Sequence, residues 1–72
     1  MNAIKVTFLL DVSNVIREAV VLIEAATTDM TFVWMLRQVT LGMINQGATI
    51  VRIEVDCLGT QTWMTVRDVL SV

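Results

Sequence analysis

Apolar and polar residues alternate near the start of the chain, where Ile4, Val6, Phe8 and Leu10 enclose Lys5 and Thr7. A period of two marks a half-buried strand. Asp11-Val12-Ser13-Asn14 follows, with three turn-forming residues of four. Asn tolerates left-handed backbone, so a hairpin is expected here. The next segment, Val15–Ala26 (VIREAVVLIEAA), fits two periods. As a helix, Val15, Ile16, Ala19, Leu22 and Ile23 share a face, and Ala, Glu and Arg suit helices. As a strand, Val21, Ile23 and Ala25 point inward while Glu18, Val20, Leu22 and Glu24 point out. The β-branched cluster Val20-Val21-Ile23 favours the strand. A capping box from Ser13 would want Glu or Gln where Ile16 stands. The strand is therefore preferred, with the helix as its rival.

Thr27-Thr28-Asp29 offers N-cap residues, and Gly47 offers the left-handed end of a helix. Asp29 near the start also suits the helix dipole. After Gly47, Thr49–Cys57 alternates, with Val51, Ile53 and Val55 on one face and Arg52, Glu54 and Asp56 on the other. Leu58-Gly59-Thr60 turns the chain. Thr62–Val69 is expected to return as a fourth strand. A short helix competes, because Trp63, Val66 and Leu70 also have helical spacing. The sum is one domain over residues 1–72 of class α+β. It is a two-layer ββαββ unit, an antiparallel sheet with one central helix packed on one face.

That central helix is apolar on two sides. With Met30 at zero and 100° per residue, Phe32, Met35, Leu36, Val39 and Met43 form a stripe about 100° wide. Met30, Val33, Trp34, Leu41 and Ile44 form a second stripe opposite, with Arg37 inside it. One sheet covers only one stripe. An apolar patch left over on a small protein marks a contact site, and Trp and Arg are enriched among binding hot spots. The partner interface is therefore placed at Met30, Val33, Trp34, Arg37, Leu41 and Ile44. The competing arrangement folds the terminal segments over this face and buries it internally.

Composition sharpens this. The chain has 72 residues, 56% hydrophobic and 17% charged. A core of this size is marginal alone, and small domains add disulfides, metal or oligomerisation. One cysteine excludes an intrachain disulfide, and the lack of histidine removes the commonest zinc ligand. Self-association remains, with a two-fold dimer as its commonest form. The central run is shorter than the about 20 residues of a membrane span and holds Arg37 and Gln38 at its middle. No span is expected, because a central Arg is costly in lipid. No secretory pattern opens the sequence, and one unpaired cysteine suits the cytoplasm.

The sheet face away from the helix collects Lys5, Thr7, Leu9, Val20, Leu22, Glu24, Arg52, Glu54, Trp63, Thr65 and Arg67 in this scheme. Lys5, Leu9, Leu22, Arg52, Trp63 and Arg67 make a second candidate surface. An aromatic with cations on a sheet is one way to hold bases and phosphates. Here Glu18, Glu24 and Glu54 share the face and the net charge is −2. Nucleic acid is not the expected partner, since phosphate contacts need clustered positive charge.

Catalytic chemistry is poorly supplied. Without His there is no imidazole base and no Ser-His-Asp or Cys-His unit. Cys57 follows Glu54 and Asp56, whose charges oppose a thiolate, so it reads as a core filler. Glu54 and Asp56 are two hard ligands, too few for a calcium cage. Gly42, Gly47 and Gly59 are isolated and form no phosphate loop. No enzyme activity, cofactor or metal is expected.

The junction VVLIEAATTDM, continued by GATIVRIEV, runs from a strand into a capped helix and on to a strand. Over Val20–Val55 it resembles small phage-encoded ββαββ accessory proteins, including some anti-CRISPR inhibitors. The resemblance rests on strand–helix punctuation and departs from the more polar helix expected in such proteins. It implies a compact inhibitor that occludes a surface of a host complex, and it assigns no residue a role. The leading expectation is a non-catalytic module that self-associates or docks a partner protein. A third expectation is an oligomeric binder of a small anion, gripped by Arg37 or Arg52 at a subunit interface.

Overall fold

The N-terminal alternation becomes a long hairpin. The computed structural model of the chain describes residues 2–71. Strand β1 (Asn2–Val12) pairs antiparallel with β2 (Val15–Ala25), from Asn2↔Ala25 to Val12↔Val15 without a break. Val15–Ala25 is therefore a strand, as its β-branched residues favour. Ser13 and Asn14 both have positive φ, 53° and 67°. That is the type I′ geometry whose twist matches the flanking strands. The Asp11 carboxylate accepts a hydrogen bond from the Asn14 N–H at 3.0 Å and steadies the turn.

Helix α1 spans Met30–Asn45. The Asp29 carboxylate accepts a bond from the Phe32 N–H at 3.2 Å, satisfying one orphan donor of the first turn. At the other end Gly47 takes φ 89°. Gly47 N–H then donates to the Ile44 carbonyl, and Ala48 N–H to the Met43 carbonyl. This pair of bonds is a Schellman termination.

Strand β3 (Thr49–Cys57) follows, then β4 (Thr60–Met64). Leu58 (φ 53°) and Gly59 (φ 84°) form a second type I′ turn, with the Asp56 carboxylate accepting from the Gly59 N–H at 3.0 Å. The sheet is antiparallel in the order β2-β1-β3-β4.

Two expectations change here. The fourth strand does not run to Val69. It ends at Met64, and a short helix, α2 (Val66–Leu70), takes its place. A capping box explains the switch: Thr65 N–H donates to the Asp68 carboxylate at 2.9 Å, and Asp68 N–H to the Thr65 hydroxyl at 3.1 Å. The ββαββ core pattern thus gains a terminal helix. Second, Val51 does not face the core with Ile53 and Val55. The register slips between Leu9↔Arg52 and Leu10↔Ile50, which makes Val51 the extra residue of a β-bulge. Val51 is 57% exposed, and Ile50 packs on the core instead.

The core lies between the sheet and the helices. Ile4, Val6 and Phe8 of the central strand are buried with Ile23 and Ala25 of β2 and Ile53 and Val55 of β3. Phe32 and Leu36 cover them from α1, and Val69 from α2. Each large side chain buried here contributes about 1.5–3 kcal/mol. Thr40 is also buried, its hydroxyl donating to the Leu36 carbonyl at 2.7 Å. Among the described residues no buried side-chain nitrogen or oxygen lacks a partner.

Candidate functional site

The central helix presents the candidate surface, and its orientation decides which residues reach solvent. Phe32, Leu36 and Thr40, at i, i+4 and i+8, mark the line that faces the core. That line is turned by about 40–50° from the centre of the stripe expected from sequence. Met35, expected in the core, is consequently exposed, while Val39 and Met43 are half-buried against the core.

The six expected interface residues divide. Met30 and Trp34 are 57% and 63% exposed, and Ile44 is at the margin of exposure. Arg37 and Leu41 are half-buried. Val33 belongs to the inside, packed on the buried cluster. Helix α2 contributes to this division. It packs on both α1 and β3 and buries Val69. Helix α2 thus packs against α1, while Met30 and Trp34 keep more than half of their surface open.

Met30 and Trp34 lie one turn apart and, with Thr31, line an open notch of about 320 Å³. The sequence reading did not include Thr31. Its spacing to Trp34, i and i+3, was the available signal. The notch presents an indole, a thioether chain and one hydroxyl, with no charged lining residue. Such a surface can seat an apolar side chain and satisfy one hydrogen bond. It carries no acid–base pair.

The second candidate surface keeps its strand residues and loses its last member. The register sets Lys5 beside Leu22 and Asp56, Leu9 beside Glu18 and Arg52, and Trp63 beside Glu54. Lys5, Leu9, Leu22, Arg52 and Trp63 therefore share the open face. Arg67 lies on α2 and Thr65 is its cap, so neither continues that surface. The Arg52 guanidinium stacks over the Trp63 ring at 3.7 Å and sits 4.0 Å from the Glu54 carboxylate. Trp63 thus has an intramolecular cation on one ring face, which takes that face away from base stacking. Glu18, Glu24, Glu54 and Asp56 also lie on this face, which disfavours phosphate. A polar hollow of about 40 Å³ between Lys5, Glu54, Asp56 and Gln61 has room for little more than water.

Among the described residues no three His, Cys, Asp or Glu side chains gather as metal ligands. Cys57 is half-buried and packs on the core. The Asp68 carboxyl is held below its ordinary value, first by the Thr65 backbone N–H and then by the Thr65 hydroxyl. Its role there is the α2 cap. No helix among the described residues is long and apolar enough to cross a membrane. Compared with known family models, curated proteins and solved structures, the chain matches none.

Proposed function

We propose that this chain is a non-catalytic interaction module that docks a partner protein, or a second copy of itself, through the outward face of α1. The contact would centre on Met30 and Trp34 and extend to Leu41 and Ile44. One observation carries this reading: Trp34 stands more than half exposed on a capped helix, where it lines an open, mainly apolar notch with Met30 and Thr31. Covering an indole contributes roughly 2–4 kcal/mol from apolar area alone. That is the range of a hot-spot residue. The helix caps place the cost of ordering in folding rather than in binding.

The test compares wild type with Trp34→Glu in two formats. Sedimentation at high micromolar concentration reads self-association, and capture on the immobilised chain reads partner binding. The expected result is a contact in at least one format that Trp34→Glu weakens tenfold or more, since about 1.4 kcal/mol corresponds to tenfold. A variant that keeps every contact of the wild type overturns the proposal.

A further inference from the structure

The sheet ends in two unlike edges. β4 offers five residues before the chain turns into α2. β2 offers eleven, with no bulge, proline or lysine. Bulges, prolines, short strands and charged side chains, lysine above all, are the devices by which natural edges avoid pairing; β2 has only the last, in Arg17, Glu18 and Glu24, and its middle, Ala19 to Ile23, is uncharged. Among the described residues no strand lies on the outer side of β2.

The hairpin fixes which backbone groups point outward. Its two-residue turn makes Val12↔Val15 a hydrogen-bonded pair, and bonded and non-bonded pairs alternate from there. The odd-numbered residues of β2 therefore bond to β1. Ile16, Glu18, Val20, Leu22 and Glu24 direct N–H and C=O outward, and all five are exposed. An antiparallel edge of this kind is complementary to itself, so a second copy matches it over its full length.

Charge then selects the register. With Val20 opposite Val20 of the other copy, all eleven residues find a counterpart. Leu22 faces Glu18, Ile16 faces Glu24 and Arg17 faces Ile23, so no two like charges stand directly opposite. Centring on Val21 sets Glu18 against Glu24 twice, and centring on Glu18 or Arg17 sets a charge against itself. Such pairs are destabilising. Centring on Ala19 avoids them but leaves Glu24 and Ala25 unpaired.

We propose that β2 pairs with β2 of a second copy of this chain, antiparallel about a two-fold axis through Val20. Two four-stranded sheets then join into one of eight. Five outward residues per copy exchange about ten hydrogen bonds across the axis. The short β4 strands form the outer edges and limit further growth. The axis runs perpendicular to the sheet, so both α1 helices lie on one side of it. The inference concerns a different surface from the helix face and does not rest on it.

Sedimentation equilibrium of the full chain at high micromolar concentration tests it. Wild type is expected as a dimer and Val20→Pro as a monomer with an unchanged circular dichroism spectrum. A proline is tolerated there because the Val20 N–H faces away from β1. Val20→Lys should also dissociate the dimer, by placing two ammonium groups together on the axis. Trp34→Glu should leave it intact, which separates this contact from the helix face. Hydrogen exchange gives an independent reading. The amides of Glu18, Val20 and Leu22 should slow about tenfold or more as concentration rises, while their odd-numbered neighbours are protected throughout. If Val20→Pro does not fold, Val20→Lys and the exchange pattern decide. A wild-type monomer, a dimer that survives both Val20 variants, or one that Trp34→Glu dissociates overturns the inference.

Discussion

Phe32, Leu36 and Thr40 line one side of α1 and are almost wholly inaccessible, whereas Met30 and Trp34 on the other keep more than half of their surface open. The two sides do not differ in the expected direction by composition. The buried one contains a threonine, and the open one contains the larger aromatic. What separates them is the supply of covering elements. The sheet takes one side, α2 packs against part of the helix, and Trp34 is left 63% exposed. Burial on this helix is decided by tertiary neighbours, and apolar character alone does not predict it.

The comparison breaks most visibly at Phe32. Phe32→Ala removes a fully buried ring at the contact between α1 and the sheet, at a cost of about 3–5 kcal/mol. Marginal stability of roughly 0.05–0.15 kcal/mol per residue makes that a large share of the total here. Urea unfolding should show the midpoint collapsing, or no cooperative transition at all. A loss below about 1 kcal/mol would mean that the two sides of α1 are energetically alike.

A smaller loss is expected at the helix entrance. Asp29→Ala removes the acceptor of the Phe32 N–H and should lower stability by about 1 kcal/mol, measured by the same unfolding curves. Asp29→Asn keeps an acceptor and should recover most of it. Because the cap precedes both sides of the helix, its loss should weaken the docking of Trp34 and the packing of Phe32 together.

Much of this was legible in the sequence, and the exceptions have identifiable causes. The caps at Asp29 and Gly47 and the left-handed Asn14 were readable because each is local chemistry within a few residues. The inward set Ile4, Val6 and Phe8 was readable because a strand has only two faces. A helix has no such binary, and its rotation depends on what it meets. Thr40 sits on the inward line because its hydroxyl bonds to the Leu36 carbonyl, which lets a polar residue be buried. Met35 was displaced outward by that same rotation. The bulge at Val51 is set by pairing with β1, a partner some forty residues away, which strand periodicity does not report. The rival helix at the end of the chain rested on the spacing of Trp63, Val66 and Leu70, whereas the signal that decides it is the local T-x-x-D of Thr65 and Asp68. Of the candidate interface, Met30 and Trp34 followed from helical spacing, whereas the withdrawal of Val33 needed the packed core.

Next in size is the contribution of the α2 cap, which depends on pH. The folded Asp68 carboxyl lies below its ordinary value of 3.8, so in that range the unfolded chain binds the proton more readily. Stability from this group is fully present above 3.8 and is lost as pH falls through the lower folded value. The group is fully exposed, so the effect should be local. Amide exchange in Val66–Leu70 should accelerate on acidification relative to α1 and the sheet. Asp68→Asn should flatten that difference, and an unchanged profile in the variant would remove the carboxylate as its source. A loosened α2 also uncovers the flank of α1, which tests whether this short helix sets the boundary of the open surface.

The smallest effect on stability belongs to the residue with the most to reveal. Trp34→Ser removes a large side chain that makes little contact within the chain, and surface changes of this kind stay within about 0.5 kcal/mol. Unfolding midpoints should therefore match wild type. Binding should not, because an exposed indole contributes only when a partner covers it. The contrast with Phe32→Ala is the sharpest form of the comparison: the same helix, two aromatic residues two positions apart, and opposite consequences. A stability loss near that of Phe32→Ala would show that Trp34 belongs to the core. Unchanged stability with reduced association would place its contribution outside the fold, at the notch it lines with Met30 and Thr31.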